Sequence, residues 1–145
     1  SAKIDPQALA DRLGRAWETV DGAASADLWR RVRDVTGFAD VPGAVWRLSV
    51  KPSDAAGIVA ALAALEVQAI YDWGGGLIWL LVPQDDAGAV RAAVASKGGH
   101  ATLVRGLAGM TAPAFPPESA EVAALTAGLR AQFDPRVILN AGIMG

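Results

Sequence analysis

Residues 67–82, VQAIYDWGGGLIWLLV, constrain the fold of this chain more than any other stretch. They read as two strands, 67–72 and 77–82, joined across Gly74, Gly75 and Gly76. A phosphate-binding glycine loop needs a strand before it and a helix N-terminus after it, so that amides and helix dipole point at the anion. Here a second strand follows the glycines, and a turn with positive φ angles explains them better. That second strand, LIWLLV, is apolar at every position, which is the pattern of a strand buried on both faces. Flanking helices cover one face only. The other, either Leu77, Trp79 and Leu81 or Ile78, Leu80 and Val82, needs a cover, and the expected cover is the N-terminal segment or a second copy of the chain.

The flanks repeat a unit. AVWRLSV, 44–50, alternates, with Trp46, Leu48 and Val50 on one side and Val45, Arg47 and Ser49 on the other. After Lys51-Pro52, Ser53 is placed to cap a helix whose apolar face is Ile58, Val59, Leu62 and Leu65. Beyond Pro83, Asp85 or Asp86 caps the next helix, with Val90 and Val94 inward and Gly98-Gly99 after it. HATLVR, 100–105, is the last strand. The order is β-α-β-β-α-β, the ferredoxin-like split βαβ arrangement, and the right-handed crossover rule leaves few alternatives. The expected class is therefore α+β: an antiparallel sheet with helices on one face. Its first and third strands are central, and the last lies antiparallel beside the first. This brings the end of the first strand, with Lys51, towards His100.

The ends of the chain add helices. Asp5, Pro6 and Gly14 punctuate a helix over 4–14, with Ile4 and Leu9 as a hydrophobic staple. RAWETV, 15–20, alternates weakly, as a strand would. Opening on a helix cap fits a βα unit that has lost its first strand. Ser25 is placed to cap a second helix with Leu28, Val32 and Val35 on one face, ended by Gly37. A last helix runs over 119–133 with a stripe of Val122, Leu125, Leu129 and Phe133, and Pro135 stops it. The single domain then comprises an N-terminal αβα extension (1–43), the βαββαβ core (44–105), and a C-terminal helix and tail (106–145).

Composition excludes more than it selects. A chain of 145 residues, 52% apolar, suits one domain that needs no staples. Thirteen basic against fifteen acidic residues leave a net charge of -2, with no clustered basic surface for nucleic acid. No apolar run approaches the roughly 20 residues of a membrane-spanning helix, and the N-terminus carries no signal-peptide pattern. Cysteine is absent, which rules out disulfides and thiolate metal sites and fits a cytoplasmic location.

Few residues suggest chemistry. His100 is the sole histidine and makes no zinc site without further ligands. It reads either as a hydrogen-bonded structural residue or as an acid–base group. Arg47, a charge inside a strand, either reaches solvent or a carboxylate, or contacts an anionic ligand if a further domain covers that face. Arg105, at a strand end, favours the structural reading. Trp46 and Trp79 suit the core, and Trp73, beside the glycines, is the tryptophan placed to meet a partner. Asp85-Asp86 is explained by its helix start. No serine has a histidine or acid at a recognisable spacing.

The tail FDPRVILN, 133–140, resembles the C-terminal end of flavin-linked oxidases of the vanillyl-alcohol-oxidase type. LWRRVRD (28–34), VWRLSVKP (45–52), DWGGGLIWL (72–80) and GGHATLVR (98–105) narrow the resemblance to the C-terminal (cap) domain of the flavin-binding E subunits of bacterial glycolate oxidases. The chain departs from the pattern at Ala141, where proline is usual, and at Val137, where glycine is common. It also lacks the flavin-binding domain and its pyrophosphate loop. The resemblance implies a ferredoxin-like cap over the flavin of an FAD-dependent 2-hydroxy-acid oxidase. FAD would be held mainly by the absent domain, and this chain alone would be inactive. It implies Asn140 as a flavin-side contact, Arg47 and His100 as substrate-side candidates, and no catalytic residue of its own. The implied partners are an FAD-binding domain and other oxidase subunits, or a second copy of the chain; the alternative reading is a non-catalytic docking module.

Overall fold

The alternating stretch around Trp46 becomes an inner strand of a four-stranded antiparallel sheet in the computed structural model, which describes residues 5–14 and 18–139. The elements run α1 (Pro6–Leu13), α2 (Gly22–Arg33), β1 (Ala44–Ser49), α3 (Ala55–Ala61), β2 (Gln68–Asp72), β3 (Leu77–Val82), α4 (Ala87–Ala95), β4 (His100–Arg105) and α5 (Ala120–Phe133). The described residues form two compact units, one ending at Ala39 and one beginning at Asp40. In the first, Asp5 caps α1 by accepting a hydrogen bond from the Gln7 amide, and Gly14 closes the helix in the left-handed conformation.

The second unit has the expected topology. The strand order is β2-β3-β1-β4, with all neighbours antiparallel, so the first and third strands are central. Ser49 pairs with His100, which brings the end of β1 beside the start of β4 as the topology requires. Trp46, Leu48, Ile78, Leu80, Val82 and Ala101 face α3 and α4 and form one core with Ile58, Leu62, Val90 and Val94. The helices cover this face because their apolar residues recur at helical spacing while those of the strands alternate.

Gly74 (φ 62) and Gly75 (φ 97) turn β2 into β3 through a short 3-10 segment, Trp73–Gly75. A side chain on Gly75 would also meet the backbone of Pro52. Both facts support a turn rather than a phosphate cradle. The outer edge of β4 is blunted by the loop that follows it. The Leu103 amide donates to Ala114 O at 2.8 Å, and Leu107 and Met110 reach the core. An edge paired in this way offers no template for another chain.

Several local expectations are corrected. Helix α2 starts at Gly22 with Asp21 in the cap position, four residues before the expected Ser25 cap, and ends at Arg33 rather than at Gly37. Helix α3 is preceded by a 3-10 turn, Pro52–Asp54, so Ser53 lies inside that turn and caps nothing. Proline fixes the φ that begins such a turn. Residues 18–20 form no strand; the rest of that expected strand, and Ile4 of the staple, lie outside the described residues.

The face of β3 away from the helices is not bare. Leu77 is 4% and Leu81 1% exposed, and Trp79 is half-buried rather than core. Residues 41–43, the end of the N-terminal segment, account for part of the cover. A Cβ on Gly43 would stand 2.8 Å from Leu81 Cδ1, and the backbone there has φ 145. The backbone thus passes directly over Leu81 where only glycine fits.

Candidate functional site

The antiparallel register places three rows of side chains on the sheet face opposite α3 and α4. The middle row runs Ile70, Trp79, Arg47, Thr102 across β2, β3, β1 and β4. Beside it runs Asp72, Leu77, Ser49, His100. The topology therefore brings Arg47 and His100 onto one face of adjacent strands, with Thr102 directly opposite Arg47 and His100 one row away. A one-residue slip would send each to the other face.

Arg47 is half-buried in this row. Its guanidinium lies over the Trp73 indole, 5.6 Å from the ring centroid. No carboxylate stands within ion-pair distance of it among the described residues. The nearby Asp72 carboxylate accepts a hydrogen bond from the Trp73 amide at 2.7 Å. Arg47 therefore has an aromatic partner and no carboxylate partner among the described residues. His100 is exposed at the open end of the same face, within one row of Arg47. Trp73 is 66% exposed.

Two other arginines are structural. Arg105 donates from Nη2 to Val41 O at 2.6 Å and from Nε to Gly43 O at 3.3 Å, tying the 41–43 segment down beside the sheet. Arg91, on α4, stacks over Trp46 at 5.4 Å and donates to Pro113 O and, at 3.2 Å, to Phe115 O. It clamps the loop that blunts β4. Sequence reasoning passed over it. The available signal was a lone charge in the otherwise apolar helix AGAVRAAVA.

The tail motif also has a local physical basis. Asp134 is buried, and its carboxylate accepts from the amides of Ile138 at 3.0 Å and Leu139 at 2.9 Å. The chain after Pro135 is thereby folded into a turn, with Val137 at φ 50. Asn140 lies outside the described residues. Helix α5 and this turn carry a continuous set of exposed apolar side chains: Val122, Leu125, Leu129 and Phe133, then Val137, Ile138 and Leu139.

The chain is similar to glycolate oxidase subunit GlcE of Escherichia coli (strain K12). The two share 33% identity over 121 residues, which is 83% of this chain. The match spans about a third of the GlcE length, 31%. No protein-family model matches the chain, and no solved structure does. Similarity over most of the chain supports the relation to this oxidase subunit that the sequence motifs imply. Among the described residues, no helix is long and apolar enough to cross a membrane. Nor does any group of three or more His, Cys, Asp or Glu side chains form a metal site among them.

Proposed function

We propose that this chain is the cap portion of an FAD-dependent 2-hydroxy-acid oxidase, related to GlcE, and that the Arg47 face is its substrate-pocket side. One observation carries this reading: a half-buried arginine, free of carboxylate partners among the described residues, on the sheet face opposite the covering helices. A small hydroxy acid presents one carboxylate, and a guanidinium is its natural counterpart. His100 adds a polar group at the same end. FAD supplies the hydride acceptor when bound, and most of its contacts belong to a domain beyond this chain; Asn140 is the residue proposed to reach the flavin from this side. This chain contributes orientation and charge rather than the redox chemistry.

On this reading the chain alone is colourless and does not turn over glycolate. An absorbance titration with FAD checks it: stoichiometric, tight flavin binding by the isolated chain would contradict the proposal.

A second reading is favoured by the exposed stripe of α5. In it the chain mainly docks other subunits, and Leu125 and Leu129, 68% and 59% exposed, belong to the contact surface. Leu125→Asp with Leu129→Asp in the complete oxidase separates the two. Loss of subunit assembly with turnover retained in the freed flavoprotein favours docking; intact assembly removes the specific support for it.

A further inference from the structure

Trp73 is costly to place. It is large, 66% exposed, and has φ 50. That left-handed region is disfavoured for bulky residues, and such strain persists only where surrounding structure imposes it. Here it is imposed on both sides. The Asp72 carboxylate takes the Trp73 amide at 2.7 Å. The Gly76 amide donates to the Trp73 carbonyl at 3.1 Å, while the Gly76 carbonyl accepts from the Val50 amide at 3.0 Å. The glycine turn is thus fastened to the end of β1, the strand that carries Arg47. The indole held this way lies against the Arg47 guanidinium.

We propose that Trp73 is a positioning residue: its indole fixes the Arg47 guanidinium so that its free edge, on the sheet face shared with Thr102 and His100, receives the carboxylate of a small monocarboxylic acid. This rests on the reading of the Arg47 face as the substrate side. Stacking occupies the π face of the guanidinium and leaves its coplanar N–H groups available. An arginine so held loses less rotamer freedom on binding than one free in solvent. The Asp72–Trp73–glycine turn therefore acts as a fixture for Arg47, which gives the triple glycine a role in recognition without contact to any phosphate.

The test is a titration of the 15N-labelled chain with sodium glycolate, against sodium chloride at matched ionic strength. It follows the Arg47 Nε–Hε and Trp73 indole N–H resonances. Ring current from Trp73 places the Arg47 Hε resonance upfield of the ordinary arginine position, and glycolate shifts it saturably. Trp73→Phe keeps both the upfield position and a dissociation constant within about twofold. Trp73→Ala returns the resonance to its ordinary position and weakens binding about three- to fivefold, with the amide spectrum of the other strands unchanged. Arg47→Ala abolishes the saturable response. If Trp73→Ala binds as the wild type does while Arg47→Ala does not bind, the positioning role is overturned and the carboxylate face stands. If Arg47→Ala titrates like the wild type, the face itself is misassigned. A wild-type chain that shifts no more with glycolate than with chloride overturns the inference, while turnover by the complete oxidase still judges the face.

Discussion

Gly98 and Gly99 are adjacent and differ in what a side chain would meet. At Gly98, φ is 69 and nothing lies within 4 Å of a built Cβ. At Gly99 a Cβ would stand 2.8 Å from Ser49 O and 2.9 Å from both Val50 Cγ1 and Val94 Cγ1. The first is a backbone requirement and the second a packing one, at the point where β4 begins and His100 is set on its face. Gly98→Ala is expected to cost about 1–2 kcal/mol, the penalty of left-handed backbone. Gly99→Ala forces the β1–β4 pairing apart and is expected to cost about 1–3 kcal/mol by overpacking, and to move the His100 resonances where Gly98→Ala leaves them. Denaturant unfolding and NMR of the two variants check this, and an unshifted His100 in Gly99→Ala would contradict it. Val137 shows the same physics from the sequence side. The resemblance implies glycine there, and the position has φ 50, where glycine is unstrained.

Helix α5 was legible to the residue because its signals are local. Ser119 accepts from the Val122 amide at 3.4 Å as a capping serine does, and Phe133 is the last helical residue before the Asp-Pro turn. The Glu121 carboxyl is held below its ordinary value by its own backbone N–H and by Ser119. A depressed folded-state value means that ionised Glu121 favours the helix. That contribution is complete above the ordinary carboxylate range and is lost as pH falls through the lowered value. Ser119→Ala is expected to weaken the α5 N-terminus by about 1 kcal/mol, read as amide exchange roughly fivefold faster over 120–126 at neutral pH. The gap between variant and wild type narrows in acid. Equal exchange at neutral pH would contradict the cap. The four strands of the sheet and their order were legible to within a residue, since alternation and the glycine turn are local signals, whereas the strand expected over 15–20 is absent at 18–20. The starts of α2 and α3 were not. Ser25 and Ser53 each look like a cap in sequence, but the helix begins where chain direction and proline geometry permit. The site was legible only in part. Arg47 stood out as a charge inside a strand and His100 as the sole histidine, and topology then placed them on one face. The Arg47–Trp73 contact links β1 to the turn between β2 and β3, and the Arg91 clamp spans 22 residues. Neither distance is encoded in a local pattern.

At the scale of the whole molecule, the βαββαβ unit buries one sheet face under α3 and α4 and leaves the other partly open around Arg47, Trp73, Trp79 and Thr102. Helix α5 and the Asp134 turn present a second apolar surface. A chain that spans about a third of a longer relative with two such surfaces suits the proposed role of a part that works against others. The resemblance in sequence suggested this role, and the sheet supplies its physical support: a half-buried arginine lying over a tryptophan held in strained backbone. The most direct test is steady-state turnover of glycolate by the complete oxidase carrying Arg47→Ala or Arg47→Lys. The account predicts that alanine lowers kcat/KM at least about tenfold, the loss of charge-assisted hydrogen bonds to the substrate. Lysine would restore part of it, because it keeps the charge and loses the bidentate geometry. Full turnover by Arg47→Ala, with the enzyme assembled and flavin bound, would contradict the account.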